Sequence, residues 1–390
     1  MLLQPVDSAG VAAALADALA GGPPVAPLSV DPVERRQSLA MLAVDEPVAE
    51  LDAALIVSTS GSTGRPKGVV LSRAAIRASV ALTHLRLGGP GDWALALPTH
   101  YVAGVMVLAR AIIAGSRVHP LRADLAELPG AMPAMADRRY IALVPTQLVR
   151  ALARPAIAAA LAEFDAVLVG GAALPADARL RAEQLGIRAV STYGMSETCG
   201  GCVYDGVPLD GIRIDIDDVS DRIMITSPTI FAGYRLRPDL TAESSRNGTF
   251  RTSDRGCWSA GGRLRVLGRL DDAVIANGHT VDLAEVERAA SGWPALGAAE
   301  LVVIAVPDSE RGSTLLAVTD GAGSLKDLTG FLATRLPGHA LPRRLLHVDP
   351  LPRTAGGKID RARLVQDLDQ ESPDFRPFVS SETASVQGRP

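Results

Sequence analysis

Ser58-Thr59-Ser60-Gly61-Ser62-Thr63-Gly64-Arg65-Pro66-Lys67-Gly68 concentrates groups that grip an anion. Its hydroxyls and backbone N–H groups can fold around phosphate, and Lys67 adds a positive charge. Glycine lets the backbone approach closely and take positive φ. The apolar run Ala54-Leu55-Ile56-Val57 precedes it and reads as a buried strand. Taken alone, a Ser/Thr/Gly stretch also suits a polar surface loop. The common nucleotide loop is disfavoured. It needs Gly, four residues, then Gly-Lys-Ser/Thr, whereas here Pro66 precedes Lys67 and Gly68 follows it. No G-x-G-x-x-G stands at a strand end, which argues against a dinucleotide fold.

Lysine usage points to two positions. Of 39 basic side chains only three are lysines, Lys67, Lys326 and Lys358, so arginine supplies the other 36. Lys67 and Lys358 both sit beside glycines in polar stretches. A compact ammonium on a flexible stem does what a planar guanidinium cannot. Further blocks carry chemistry-bearing types: Ser191-Thr192-Tyr193-Gly194-Met195-Ser196-Glu197-Thr198, Arg251-Thr252-Ser253-Asp254-Arg255-Gly256, Gly268-Arg269, and Pro352 to Lys358.

The elements that must position these blocks follow from length and pattern. At 390 residues the chain holds two or three domains. Hydrophobic content of 47% and charged content of 21% are those of a globular protein. A net charge of −4 gives no basic stripe for nucleic acid. The N-terminus lacks the basic and apolar regions of a signal peptide. The most apolar helix candidate, 101–114, is interrupted by Arg110, so no membrane span is expected. Three cysteines fit a reducing, cytoplasmic setting. Cys199-Gly200-Gly201-Cys202 is formally C-x-x-C, but with Cys257 as the only other thiol it falls short of four zinc ligands.

Residues 1–50 show one short helix pattern, at 11–19, and no identifiable chemistry. Ser72 predicts a helix cap, with the helix running to about 85. Strand-like runs at 93–97, 117–121, 140–144, 166–169 and 187–191 alternate with helical patterns, including 146–164 and 175–185. That alternation indicates βαβ units and a largely parallel sheet, which binds ligands at the carboxyl ends of its strands. Short strands at 212–216, 222–226, 249–252 and 263–267 indicate a small β-rich subdomain. A second α+β unit then follows, with a helix at 283–290, strands at 300–306 and 314–319, and a helix at 325–335. The expected class is α/β. Residues 1–268 form a large N-terminal domain, with the β-rich subdomain at about 203–268. A hinge at 269–272 leads to a C-terminal domain at 273–370 and a disordered tail at 371–390.

The order and spacing of these blocks resemble the adenylate-forming acyl-CoA ligases, which include acyl-CoA synthetases, luciferases and the adenylation domains of peptide synthetases. The resemblance spans roughly residues 50–365. The stretch from Tyr193 to Gly211 is similar to the actinobacterial o-succinylbenzoate–CoA ligases of menaquinone biosynthesis, whose shortness the chain shares. The likeness implies an ATP- and Mg²⁺-dependent enzyme with CoA as co-substrate. It also implies that the first domain, 1–268, binds ATP and the acid and that the second, 273–370, is a mobile lid. Its acid is o-succinylbenzoate or another aromatic or fatty acid.

Carried over residue by residue, the resemblance places Thr59, Ser60, Gly61, Ser62, Thr63, Gly64 and Lys67 over the outer phosphates. Ser196 meets the α-phosphate and Glu197 holds Mg²⁺. Gly170, Gly171 and Ala172 lie along the adenine, with Tyr193 and Gly194 against its ring. Asp254 accepts from the ribose and Arg269 assists. His100, Met195, Gly200 and Gly201 bind the acid, and Lys358 bridges its carboxylate to the α-phosphate. Asp271 is the hinge and Gly278 lies in the thiol channel. The residues themselves leave plainer readings open: Glu197 as a helix-start carboxylate, Asp254 as a turn residue and His100 as a helix-start residue. Leu283 stands where the family usually has proline. A homodimer is an assembly the resemblance leaves open.

Overall fold

A computed structural model describes residues 1–50, 52–59, 67–270, 273–276, 279–297, 299–308, 312–353 and 359–369. The chain divides into two compact units. The first takes Met1–Thr252 and Gly256–Arg265, and the second takes Ser253–Arg255 and the chain from Val266 on.

The first unit is layered. Its parallel sheet orders Ala189–Met195, Ala166–Val169, Arg139–Leu143, Asp92–Leu95 and Val118–Pro120, with Gly200–Tyr204 and Val207–Pro208 added antiparallel at one edge. The expected β-rich subdomain therefore starts later than 203, because the run after Gly200 pairs back into the parallel sheet. A second sheet orders Gln4–Val6, Val25–Pro27, Ala53–Thr59, Lys67–Ser72 and Gly233–Tyr234. Here the first fifty residues do more than their sequence showed. They supply two strands and the helices Val11–Ala20 and Pro32–Leu42. A third sheet orders Arg213–Ile216, Arg222–Thr226, Thr249–Trp258 and Ser245–Arg246.

The helix Val102–Ala114 is apolar nearly all round because it is covered nearly all round. Val105, Met106, Leu108 and Ala109 join the core that contains Val11, Leu55 and Ile76. Val107 and Ala111 join another, with Trp93, Tyr140 and Leu168. Arg110 does not break this helix; it is buried within it. The helix Arg73–Leu87 starts as its cap predicts, with Ser72 Oγ accepting from the Ala75 N–H at 3.0 Å, a contact that stabilises by about 1 kcal/mol. The single helix expected over 146–164 is two, Pro145–Leu152 and Pro155–Ala162. Pro155 has no N–H to donate and holds the preceding residue out of the helical region, so Arg154 is extended.

The second unit has a three-stranded sheet. Leu301–Asp308 pairs antiparallel with Gly312–Thr319, which pairs parallel with Arg344–His347. Alternation splits this sheet between two cores. Val303, Leu315 and Ala317 face the helices Leu283–Ala290 and Leu325–Leu332, while Val302, Ile304, Leu316 and Val318 face the helix Arg361–Asp369. At Leu283 the missing proline is replaced by a side-chain cap, Asp282 accepting from the Ala284 N–H at 2.9 Å.

Candidate active site

The expected adenine-side and acid-side residues of the first unit follow the carboxyl ends of its parallel strands, and Thr59 and Lys67 lie on the neighbouring sheet. Ala166–Val169 runs out into Gly170-Gly171-Ala172. A Cβ at Gly170 would lie 2.4 Å from the Thr192 side-chain Oγ1, and Gly171 has φ +84, a conformation that favours glycine. Beside them, Ala189–Met195 delivers Tyr193, Gly194 and Met195, then turns through Ser196–Thr198. Thr198 shapes that turn: its Oγ1 accepts from the Met195 N–H at 2.9 Å and donates to the Gly200 carbonyl at 2.7 Å. The returning strand sets Gly200 opposite Met195 and Gly201 opposite Gly194. A Cβ on Gly194 would meet the Gly200 carbonyl at 2.1 Å, and one on Gly201 would meet Tyr204 Cε1 at 2.9 Å. These two strand segments touch backbone to backbone.

The turn leaves Ser196 buried and Glu197 half-buried. The Glu197 carboxylate accepts from the Tyr234 hydroxyl at 2.8 Å, and its main-chain carbonyl accepts from the Phe231 N–H at 2.9 Å. The feet of the anion loop are a strand pair, Thr59 opposite Lys67 and Ser58 opposite Gly68. Ser58 Oγ is buried with no hydrogen-bond partner among the described residues. Lys67 Nζ stands 5.2 Å from the centre of the Tyr234 ring. Ser60, Gly61, Ser62, Thr63 and Gly64 lie outside the described residues, as do Asp271, Gly278 and Lys358.

His100 follows Asp92–Leu95 and precedes the helix Val102–Ala114. Its ring packs on that of Tyr101 at 4.1 Å. Its Nε2 is buried 3.8 Å from a Glu34 oxygen. Glu34 also accepts from Ser29 Oγ at 2.7 Å and from the Tyr101 hydroxyl at 3.4 Å. Burial lowers the His100 pKa, the Glu34 charge opposing it, so the imidazole is neutral at pH 7. Sequence reasoning found no chemistry in residues 1–50 and missed Glu34.

It also missed Arg110. This side chain is 4% exposed, and no hydrogen bond or ion pair to it is present among the described residues. Its guanidinium lies over Trp93 at 4.9 Å, and Nη2 comes within 4.0 Å of where a Gly200 Cβ would be. Met106 Cγ is the other nearest atom to that point, at 3.9 Å. Burial pulls the arginine's pKa down, partly offset by Tyr204. His84 is held down to about 4 by burial and then by Arg110, so it stays neutral. The sequence signal was present: a lone charge in an otherwise apolar helix.

Within the second unit, Arg269 pairs with Asp254 at 3.5 Å and Arg255 with the buried Asp282 at 3.3 Å. Gly268 has φ +152, and a Cβ there would lie 2.9 Å from Asp282 Oδ2. Arg353 and Ile359 form an antiparallel bridge. Arg361 grips Glu287 through two contacts of 2.7 Å. Cys199 and Cys202 are buried free thiols. Burial raises both pKa values, that of Cys202 to about 12.

Residues 7–234 match the family described as AMP-binding enzyme, and residues 285–358 match the AMP-binding enzyme C-terminal domain. The chain belongs to the AMP-binding enzyme family. A probable 2-succinylbenzoate–CoA ligase of Mycobacterium tuberculosis is 44% identical over 367 residues, 90% of this chain and 94% of that protein. Two solved structures of o-succinylbenzoate CoA synthetase from Bacillus subtilis share the fold at TM-score 0.73 and 24% identity. One is in complex with the acyl-adenylate intermediate and covers 90% of this chain and 80% of its own. The other is in complex with ATP and magnesium ion and covers 91% and 81%. Within this AMP-binding enzyme, no described helix is long and apolar enough to cross a membrane.

Proposed function

We propose that this chain is an acid–CoA ligase that activates o-succinylbenzoate with ATP, in menaquinone biosynthesis. In the first half-reaction an oxygen of the aliphatic carboxylate attacks the α-phosphorus. The bond to the leaving pyrophosphate breaks, giving the acyl-adenylate. In the second, the CoA sulfur attacks the acyl carbon, its proton is lost and AMP leaves. Two anions must meet in the first step, so the protein's task is to hold them in line and offset their charge.

Each residue takes the role that the family resemblance implies for it. Thr59 to Gly64 and Lys67 hold the outer phosphates, and Ser196 meets the α-phosphate. Gly170, Gly171, Ala172, Tyr193 and Gly194 take the adenine, and Asp254 with Arg269 the ribose. Lys358 supplies the charge that bridges carboxylate and α-phosphate. Asp271 is the hinge and Gly278 lines the thiol channel. Glu197 fits a magnesium ion: it is a hard oxygen donor held by a tyrosine hydroxyl, and Ser58 Oγ at the foot of the anion loop has no partner among the described residues. Magnesium, when bound, supplies positive charge to the phosphate oxygens.

The observation that carries the substrate reading is Arg110. A buried cation with no counter-charge is costly unless a ligand completes it. o-Succinylbenzoate is a dicarboxylate, and its ring carboxylate is retained through the reaction. Arg110 is the group that would pair with it, beside Gly200, Gly201, Met195 and His100 as the acid's surroundings. The 44% identity to a probable 2-succinylbenzoate–CoA ligase supports the same substrate. Pyrophosphate exchange over a panel of acids tests it. Exchange with o-succinylbenzoate should far exceed that with 3-benzoylpropionate, the same acid without the ring carboxylate. Equal exchange with the two overturns the reading.

A further inference from the structure

Tyr234 stands in the short strand Gly233–Tyr234, well removed in sequence from either of the blocks it touches. It is buried. Its hydroxyl donates to Glu197 Oε1 at 2.8 Å, and its ring faces the ammonium of Lys67 at 5.2 Å. Both contacts have the geometry of real interactions: a hydrogen bond to a carboxylate, and a cation within about 6 Å of a ring centre.

The backbone around Tyr234 is fastened to the same two elements. Tyr234 pairs with Val69 and Gly233 with Val70 on the strand that Lys67 opens. The Ala232 N–H donates to the Val70 carbonyl at 2.8 Å and the Arg235 N–H to the Gly68 carbonyl at 2.7 Å. On the other side, the Phe231 N–H donates to the Glu197 carbonyl at 2.9 Å, and the Phe231 ring packs on Tyr234 at 4.8 Å. The segment is held in turn by Arg235. Its buried guanidinium donates to the carbonyls of Leu42, Ala43, Glu46 and Pro47. These backbone and ring contacts fix one tyrosine between a lysine and a carboxylate that come from separate elements.

We infer that Tyr234 is a positioning residue for Mg·ATP: its hydroxyl aims the Glu197 carboxylate and its ring seats the Lys67 ammonium, joining the two sides of the triphosphate cradle. The inference rests on the proposed roles of Glu197 and Lys67. The two contacts separate by substitution. Tyr234→Phe removes only the hydroxyl and keeps the ring under Lys67. Tyr234→Leu removes both.

Binding is read by calorimetry for Mg·ATP and for AMP, and by the electron-spin signal of Mn²⁺ in the ATP complex, with Glu197→Gln as reference. A hydrogen bond to a charged group corresponds to roughly 10- to 100-fold in affinity. Tyr234→Phe should therefore weaken Mg·ATP and Mn²⁺ binding by about tenfold, while AMP, which has no outer phosphates, binds as before. Tyr234→Leu should weaken Mg·ATP further. Glu197→Gln combined with Tyr234→Phe should bind no worse than Glu197→Gln alone. A general loss of structure would weaken AMP and Mg·ATP together, and that result overturns the inference. If Glu197→Gln weakens metal binding and Tyr234→Phe does not, the inference falls and the role of Glu197 stands. If Glu197→Gln leaves metal binding unchanged, the underlying reading of the site falls with it.

Discussion

Arg110→Met separates a functional arginine from a structural one by the sign of its effect. In the free protein Arg110 is 4% exposed and has no carboxylate beside it among the described residues. Its contact with Trp93 returns about 2 kcal/mol of the several that desolvating a guanidinium costs. Methionine has a similar length, no charge, and adapts to an irregular gap. Replacing buried charge with apolar side chains stabilises by about 1–4 kcal/mol in comparable sites. For a unit of this size that is a rise in melting temperature of roughly 2–10 °C. Binding moves the other way. Truncating one partner of a desolvated charge pair costs about 2–5 kcal/mol, or roughly 30-fold to a few thousand-fold. The KM for o-succinylbenzoate should rise by that factor, the KM for ATP should not move, and the preference over 3-benzoylpropionate should vanish. Differential scanning fluorimetry without ligand and pyrophosphate exchange with both acids measure all four quantities. A variant that melts lower and keeps its KM for o-succinylbenzoate refutes the reasoning, because Arg110 would then be a stabilising part of the core.

Two further outcomes follow from named groups. His84 has its pKa lowered from 6.5 to about 4 by burial and by Arg110, so the unfolded chain binds its proton more readily than the folded one. The stability it contributes is present above pH 6.5 and is lost as the pH falls toward 4. His84→Gln should therefore flatten the decline of the urea midpoint across that window, and an unchanged slope would count against a buried, neutral His84. Lys358→Ala should lower adenylation by roughly 10²–10³, as for loss of one preorganised charge donor. Thioester formation from preformed adenylate should stay at the parent rate, and equal loss in both half-reactions would exclude the assigned role.

Local features were legible where local physics decides them. Ser72 caps its helix because a side-chain oxygen three residues before an N–H needs no distant partner. The buried run Ala166–Val169 and the helix Leu283–Ala290 fall where their patterns put them. What the sequence hid depends on partners far along the chain. Glu34 is an ordinary first-turn acid until the fold brings His100 and Tyr101 to it. Tyr234 lies in Phe231-Ala232-Gly233-Tyr234-Arg235 and gains meaning only from Glu197 and Lys67, both far from it in sequence. The first two strands are three residues each, too short to show a period, and become strands because the run Ala53–Thr59 gives them an edge to join. Arg110 was legible as an anomaly. Its environment was not, because periodicity cannot tell a helix covered on every side from one bound for a lipid bilayer.

The paired glycines have a consequence for how this enzyme can change. Gly194 and Gly201 sit where any side chain would strike backbone or the Tyr204 ring, at 2.1 Å and 2.9 Å, and Gly200 has φ +90. This surface is main chain, and main chain offers selection almost nothing to vary. Across from it, Met106 and Arg110 project from the helix Val102–Ala114, where a side chain can change without moving the backbone. In the acid site we propose, drift toward a new acid would therefore run along that helix, one turn at a time, against a floor that stays the same.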